Sequence, residues 1–205
     1  MYVQLSQRLK DVATFVPKDA KLLDVGSDHA YLPIYLLEKG LIHSAIAGEV
    51  VKGPYESALT NVSASGFKDK IDVRLANGLE AFEPSDAVTT ITICGMGGRL
   101  IADILDSGKD KLKGVERLIL QPNNREDDLR IWLMENGFVI VAEAIMTENG
   151  KYYEIMVAEA GQMTLSDKEV RFGPHLMKDQ SQVFQLKWQQ PYRSEERFSR
   201  NAETD

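Results

Sequence analysis

Along the first 160 residues the hydrophobic pattern switches between two periods. Apolar runs of strand length occur at "KLLDVG" (21–26), "SAIAGEV" (44–50), "IDVRLA" (71–76), "VTTITIC" (88–94) and "VERLILQ" (115–121). Stretches with helical spacing follow at 30–39, 53–65, 98–108 and 125–136. A run of β-then-α units predicts an α/β fold, a parallel sheet with helices on both faces. Two more strands, "FVIVAEAIM" (138–146) and "KYYEIMVAEA" (151–160), meet across "TENG" (147–150), so the sheet should end in an antiparallel hairpin. Ahead of the first strand, "MYVQLSQRLKDVATFV" reads as an amphipathic helix; it lacks the continuous apolar core of a signal peptide.

The pattern changes after Gly161. "MTLSDKEVRFGPHLMKDQSQVFQLKWQQ" keeps helical spacing, broken at Gly173–Pro174, and puts Phe184, Lys187 and Trp188 on one side of a helix. The division expected is therefore residues 1–160 as one domain and 161–205 as a small helical extension. Its last fifteen residues, "PYRSEERFSRNAETD", are polar and expected to be mobile.

Composition narrows the function classes. The net charge is −7, and all of it lies in residues 1–160; residues 161–205 carry 7 basic and 7 acidic side chains. A polyanion would be held by local basic patches rather than by the overall field. No apolar stretch approaches the roughly 20 residues that span a bilayer, so no membrane association is expected. The single cysteine, Cys94, fits a reducing cytoplasm, and three scattered histidines make a metal site improbable.

The candidate chemistry sits at the strand ends. In an open α/β sheet the ligand binds outside the carboxyl ends of the strands, where strand order reverses. "DVGSDHAYLP" follows the first strand, in the place of a dinucleotide loop, yet Asp28 and Tyr31 stand where a pyrophosphate wants bare backbone. A carboxylate there would repel a pyrophosphate but suits the sulfonium and ammonium of S-adenosyl-L-methionine. Glu49, a little over 20 residues beyond Gly26, is placed to accept from ribose hydroxyls. Asn77–Gly78 ends the third strand beside an adenine ring. "ICGMGG" ends the fourth, placing flexible backbone (Gly95, Gly97) and Met96 beside the reacting methyl. Ser27 and Val50, neighbours of these residues, complete the expected cofactor set.

Taken together, "LLDVGSDHAYLPIYL", "GEV", "NGL", "ICGMGG" and "LQPN" resemble the bacterial family of tRNA (adenine-22-N1)-methyltransferases, from "LSQRL" (5–9) to about Trp188. The resemblance implies a Rossmann-like class I methyltransferase sheet using S-adenosyl-L-methionine, and a coiled-coil-like helical extension that helps grip tRNA. It places Gly26, Asp28, His29 and Tyr31 in the cofactor loop, Glu49 at the ribose, Asn77 and Gly78 at the adenine and Gly95 to Gly97 beside the methyl. The choice of adenine and of position 22 rests on the resemblance alone. "QPYRSEERFSRNAETD" departs from the second long helix of the family, since Pro191 interrupts a helix.

Methyl transfer to a ring nitrogen is an in-line displacement and needs positioning more than a base. Asp28 or His29 is a candidate for the proton released afterwards, and Asn123 for the base edge. Asn123–Asn124 reads equally as a helix N-cap before "REDDLRIWL", and His29 as packing under the loop. Tyr31 is a candidate for base stacking, with helix packing the alternative. Gln121 and Pro122 of "LQPN" join the substrate side. Arg8, Lys10, Arg171, His175, Lys178, Lys187 and Trp188 are candidates for tRNA, although Trp188 is better placed to pack on the domain. No obligate protein partner is expected. The rival readings are a methyltransferase of another substrate, a non-catalytic module binding S-adenosyl-L-methionine, and a nicotinamide dehydrogenase, the last disfavoured by Asp28 and Tyr31.

Overall fold

The structure is a computed structural model and describes residues 3–189; the expected mobile tail lies outside the described residues. Seven strands form one sheet in the order β3-β2-β1-β4-β5-β7-β6. They are β1 (Ala20–Val25), β2 (Ile42–Glu49), β3 (Ile71–Leu75), β4 (Thr90–Met96), β5 (Arg117–Pro122), β6 (Phe138–Glu148) and β7 (Lys151–Ala160). β1 to β5 run parallel, and β7 is antiparallel to both β5 and β6. Asn149 and Gly150 both have positive φ in the β6–β7 turn, the geometry a two-residue hairpin requires. Strand order reverses between β1 and β4, which sets the crevice there.

The strands read as almost unbroken apolar runs because both faces are covered. Leu23 and Val25 of β1 and Leu118 and Leu120 of β5 join one core, with Ile101 and Leu105 of α4 (Gly98–Ser107) and Leu129 and Leu133 of α5 (Glu126–Glu135). Their neighbours Leu22 and Ile119 point the other way. There they meet Val12 of α1 (Gln7–Ala13), Ile34 and Leu36 of α2 (Tyr31–Glu38), and Ala58 and Val62 of α3 (Lys52–Ser65). Each such leucine, isoleucine or valine side chain, fully buried, contributes about 1.5–3 kcal/mol.

Two boundaries differ from the sequence expectation in ways that matter. α1 begins only at Gln7, where the Ser6 hydroxyl accepts from the Leu9 N–H. β4 runs past Cys94 to Met96: its ladder with β5 pairs Cys94 with Gln121 and Met96 with Pro122, and Gly95 is the bulged residue between them at φ +78°. The backbone expected to be flexible is paired instead.

After β7 the chain forms α6 (Asp167–Phe172), α7 (Leu176–Asp179) and α8 (Gln182–Gln189). α6 opens with a reciprocal Ser166–Glu169 capping box and stops at Gly173, φ +86°. The helices lie against α5 and β6, and a buried ionic network anchors them. Arg130, Glu143 and Glu154 have no exposed side-chain surface; Arg130 pairs with both acids, and Lys187 reaches Glu154 at 2.6 Å and Glu126 at 3.0 Å. Arg130 also donates to the Val170 carbonyl, and Glu143 accepts from the His175 N–H. Trp188 packs edge-on against Phe172, ring centroids 4.7 Å apart. Among the described residues no helix is long and apolar enough to cross a membrane.

Candidate active site

The loop from Gly26 to Ala30 leaves β1 in a left-handed path. Asp28, His29 and Ala30 all have positive φ (38°, 69° and 59°), a conformation costing roughly 1–2 kcal/mol per non-glycine residue. Several bonds hold it. The Asp28 N–H donates to the Glu49 carboxylate at 2.5 Å, Asn61 donates to the His29 carbonyl at 3.0 Å, and the Ile34 N–H to the Ala30 carbonyl at 3.1 Å. At Gly26, φ +66°, a Cβ would lie 2.3 Å from the Met96 methyl, which would have to swing aside. The β1 loop and the end of β4 therefore touch at the switch point.

Beneath the loop lies an acid that the sequence reading passed over. Asp24 is buried, accepts from the Ser27 and Thr92 hydroxyls at 2.6 Å each, and has its pKa pushed up to about 6, chiefly by burial. A charged residue inside the apolar run "KLLDVG" was the available signal, since a buried acid needs partners. Asp28 stands differently from its expected place: its backbone faces Glu49, while its carboxylate, 76% exposed, lies at the rim 3.2 Å from His29 Nε2. The His29 ring stacks on Tyr31 at 5.3 Å, so it sits on the rim and not under the loop.

Glu49 is buried at the end of β2, and its carbonyl accepts from the Ala76 N–H, which brings the end of β3 alongside. Asn77 is exposed just beyond, and Val50 and Leu75 present exposed apolar surface at the same two strand ends.

At the ends of β4 and β5 the residues interlock. Gly98 donates its N–H to the Asn124 carbonyl, and a Cβ on Gly98 would lie 2.1 Å from the Arg125 carbonyl oxygen. Asn123 is exposed to the cleft, its N–H bonded to the Met96 carbonyl and its side-chain NH2 to the Gly95 carbonyl. Neither asparagine caps α5; the N-cap position is Arg125, with no side-chain bond, and the first turn is instead favoured by Glu126, Asp127 and Asp128.

Four expected substrate residues need correction or refinement. Gln121 and Pro122 are both buried, since both faces of β5 are covered, and neither side chain is open to the cleft. Lys187 spends its charge on Glu126 and Glu154. Arg8 does not project outward: α1 lies across the sheet end, tied by the Gln7 N–H to Glu148, and the guanidinium bonds Gln121 and lies 5.5 Å over the Tyr153 ring. Tyr153 was not singled out in the sequence, because nothing local marks a residue 145 positions away as the neighbour of Arg8. Lys178 is exposed on α7, distant in sequence from every element of the cleft. Cys94 is no nucleophile, since burial pushes its thiol up, out of reach of neutral pH. A separate cavity of about 330 Å³, lined by Lys21, Ser44, Lys68 and Lys70, opens at the amino ends of β1 to β3, away from this chemistry.

A doubly wound sheet with a terminal antiparallel hairpin, and acids at the switch point in place of a phosphate cradle, defines the class as a Rossmann-like methyltransferase fold. The family model described as tRNA (adenine(22)-N(1))-methyltransferase matches residues 22–204, and the chain belongs to that family. It is 45% identical over 194 residues to the tRNA (adenine(22)-N(1))-methyltransferase of Bacillus subtilis, covering 92% of this chain and 81% of that one. Among solved structures it resembles a Streptococcus pneumoniae protein in complex with S-adenosyl-L-methionine, with TM-score 0.90 and 68% identity over 91% of this chain and 87% of that one. It also resembles an M. capricolum family member in complex with S-adenosyl-homocysteine, with TM-score 0.74 and 31% identity over 82% and 75% of the two chains.

Proposed function

We propose that the protein transfers the methyl group of S-adenosyl-L-methionine to N1 of adenine at position 22 of tRNA, in the cytoplasm. The observation that carries this reading is the acidic switch point. Glu49 is clamped to the Asp28 N–H with buried Asp24 beneath, in a chain of a family that bears this activity in its name. Two carboxylates beside the loop suit a cationic cofactor and oppose a pyrophosphate. The apolar Val50 and Leu75 suit the faces of an adenine ring, with Glu49 at the ribose and Asn77 at the ring edge.

The cofactor supplies an electrophilic methyl on a sulfonium; the remaining demands fall on the chain. Adenine N1 carries its own lone pair, so no covalent intermediate is required. N1 is occupied in base pairing, so the base must be unpaired or extruded into the cleft. Asn123, at the cleft surface, keeps one amide N–H and one oxygen lone pair for the base edge after its internal bonds are made. The His29–Tyr31 stack offers a platform at the rim, and Asp28 with His29 can take the proton from the methylated base. Arg8 over Tyr153 supplies a cation and an aromatic face at the other wall. Residues 161 onward serve as the arm for tRNA, with Lys178 a contact to its backbone.

The test is transfer of labelled methyl to an unmodified tRNA transcript, run beside the same transcript with guanine at position 22. Labelling of the first alone supports the reading. Equal labelling of both removes the position, and labelling of neither removes the substrate.

A further inference from the structure

Gln121 is fully buried between the two walls of the cleft, and every polar atom of its carboxamide is engaged. Its oxygen accepts from the Arg8 guanidinium of α1 and from the Gly95 N–H at 3.0 Å. Its nitrogen donates to the Pro122 carbonyl at 2.8 Å and to the Asn123 side-chain oxygen at 3.2 Å. The polarity admits one orientation, since two donors meet one end and two acceptors the other. Asn123 is thereby fixed from two sides, its oxygen by Gln121 and its nitrogen by the Gly95 carbonyl at 2.8 Å.

We infer that Gln121 is a positioning residue for methyl transfer: without touching substrate, it locks the Asn123 amide at the base edge and links it to Arg8 and to the Gly95 bulge. The inference rests on the methyl-transfer reading above and adds a residue through which the substrate side is set. A glutamine is required for both halves. Glutamate would keep the acceptor for Arg8 and Gly95 but set a third acceptor against the Pro122 and Asn123 oxygens. The Asn123 amide would then turn, and a misplacement of about 1 Å costs on the order of 100-fold in rate.

The test compares single-turnover methyl transfer to tRNA, and S-adenosyl-L-methionine affinity, in wild type, Gln121→Glu, Asn123→Ala and the double variant, each checked by thermal melting. Gln121→Glu should lower the transfer rate about 10- to 100-fold. Its cofactor affinity should stay within about threefold, because the Gly95 N–H keeps its acceptor. The double variant should be no slower than Asn123→Ala, since Gln121 acts through Asn123. The deficit of Gln121→Glu relative to wild type should shrink as pH falls, because a protonated glutamate regains a donor. If burial of the new acid unfolds that variant, Gln121→Met, which keeps the volume and removes both ends of the carboxamide, takes its place in the same cycle and should slow transfer only where Asn123 is present. Equal loss from Gln121→Glu with and without Asn123, or loss only in cofactor affinity, would overturn the inference while leaving the methyltransferase reading intact. A wild type that labels no tRNA would overturn both.

Discussion

The Asp28 backbone N–H donates to the Glu49 carboxylate, joining the left-handed loop after β1 to the acid that ends β2. One carboxylate thus supports the loop and, on the proposed reading, also serves the ribose. Glu49→Gln should weaken S-adenosyl-L-methionine binding about 10- to 100-fold, the loss of a charge-assisted bond of roughly 1.5–3 kcal/mol. Calorimetry of the purified variant checks it; unchanged affinity would remove Glu49 from the ribose.

Asp24 predicts a pH dependence. Its pKa is raised from the ordinary value of 3.8 to about 6, chiefly by burial. The buried neutral acid is therefore favoured by folding below about pH 4, and that contribution disappears as pH rises through 6. The two-unit shift corresponds to about 3 kcal/mol. Asp24→Asn should gain stability relative to wild type between pH 4 and 7, measured by urea unfolding. A difference constant with pH would show that Asp24 does not titrate in this window. Asp86, held down to about 2 by its bonds to Arg74, works in the opposite sense and only at lower pH.

The paired glycines opening α4 should respond differently. A Cβ at Gly98 meets the Arg125 backbone at 2.1 Å, whereas at Gly97 it meets the end of the Asn124 side chain at 2.9 Å. Gly98→Ala should cost about 3 kcal/mol, since backbone cannot swing aside. Gly97→Ala should cost under about 1 kcal/mol. Thermal unfolding of the two variants distinguishes them, and equal losses would contradict the packing described.

The extension hangs on the buried ions. Arg130→Met removes the side-chain cation paired with Glu143, leaves Glu154 with Lys187, and should cost about 3–5 kcal/mol. Lys187→Met leaves Glu154 paired with Arg130 and should cost about 1.5–3 kcal/mol. Urea denaturation in a Trp132→Phe background, followed by the fluorescence of Trp188, which packs on Phe172, reads both. Little loss from Arg130→Met would mean that the helices are held by their apolar contacts alone.

The strands were legible because burial on both faces leaves each as an apolar run, and the hairpin because "ENG" demands a tight turn. The overrun of β4 to Met96 was not, since a bulge at Gly95 depends on pairing with Gln121, 26 residues on. The site followed the same division. Gly26, Glu49 and Asn77 fall at or just beyond strand ends, where counting along the sequence places them. Asp24 carried a signal, an acid within an apolar strand, that went unused. Arg8 was drawn to the surface by its charge, whereas its partners Gln121 and Tyr153 come from β5 and β7 and are joined to it only by the fold. Lys187, likewise, meets Glu126 and Glu154 through long-range packing that no local pattern carries.

The most direct test of the central claim maps the modified base. A methyl on N1 blocks the pairing edge of adenine, so reverse transcriptase halts one nucleotide before it. After incubation of unmodified tRNA with the protein and S-adenosyl-L-methionine, primer extension should halt at position 23, one nucleotide to the 3′ side of adenine 22, and the halt should vanish when the cofactor is omitted. A cofactor-dependent halt at another position, or full-length extension from tRNA that has taken up label, would contradict methylation of N1 at adenine 22.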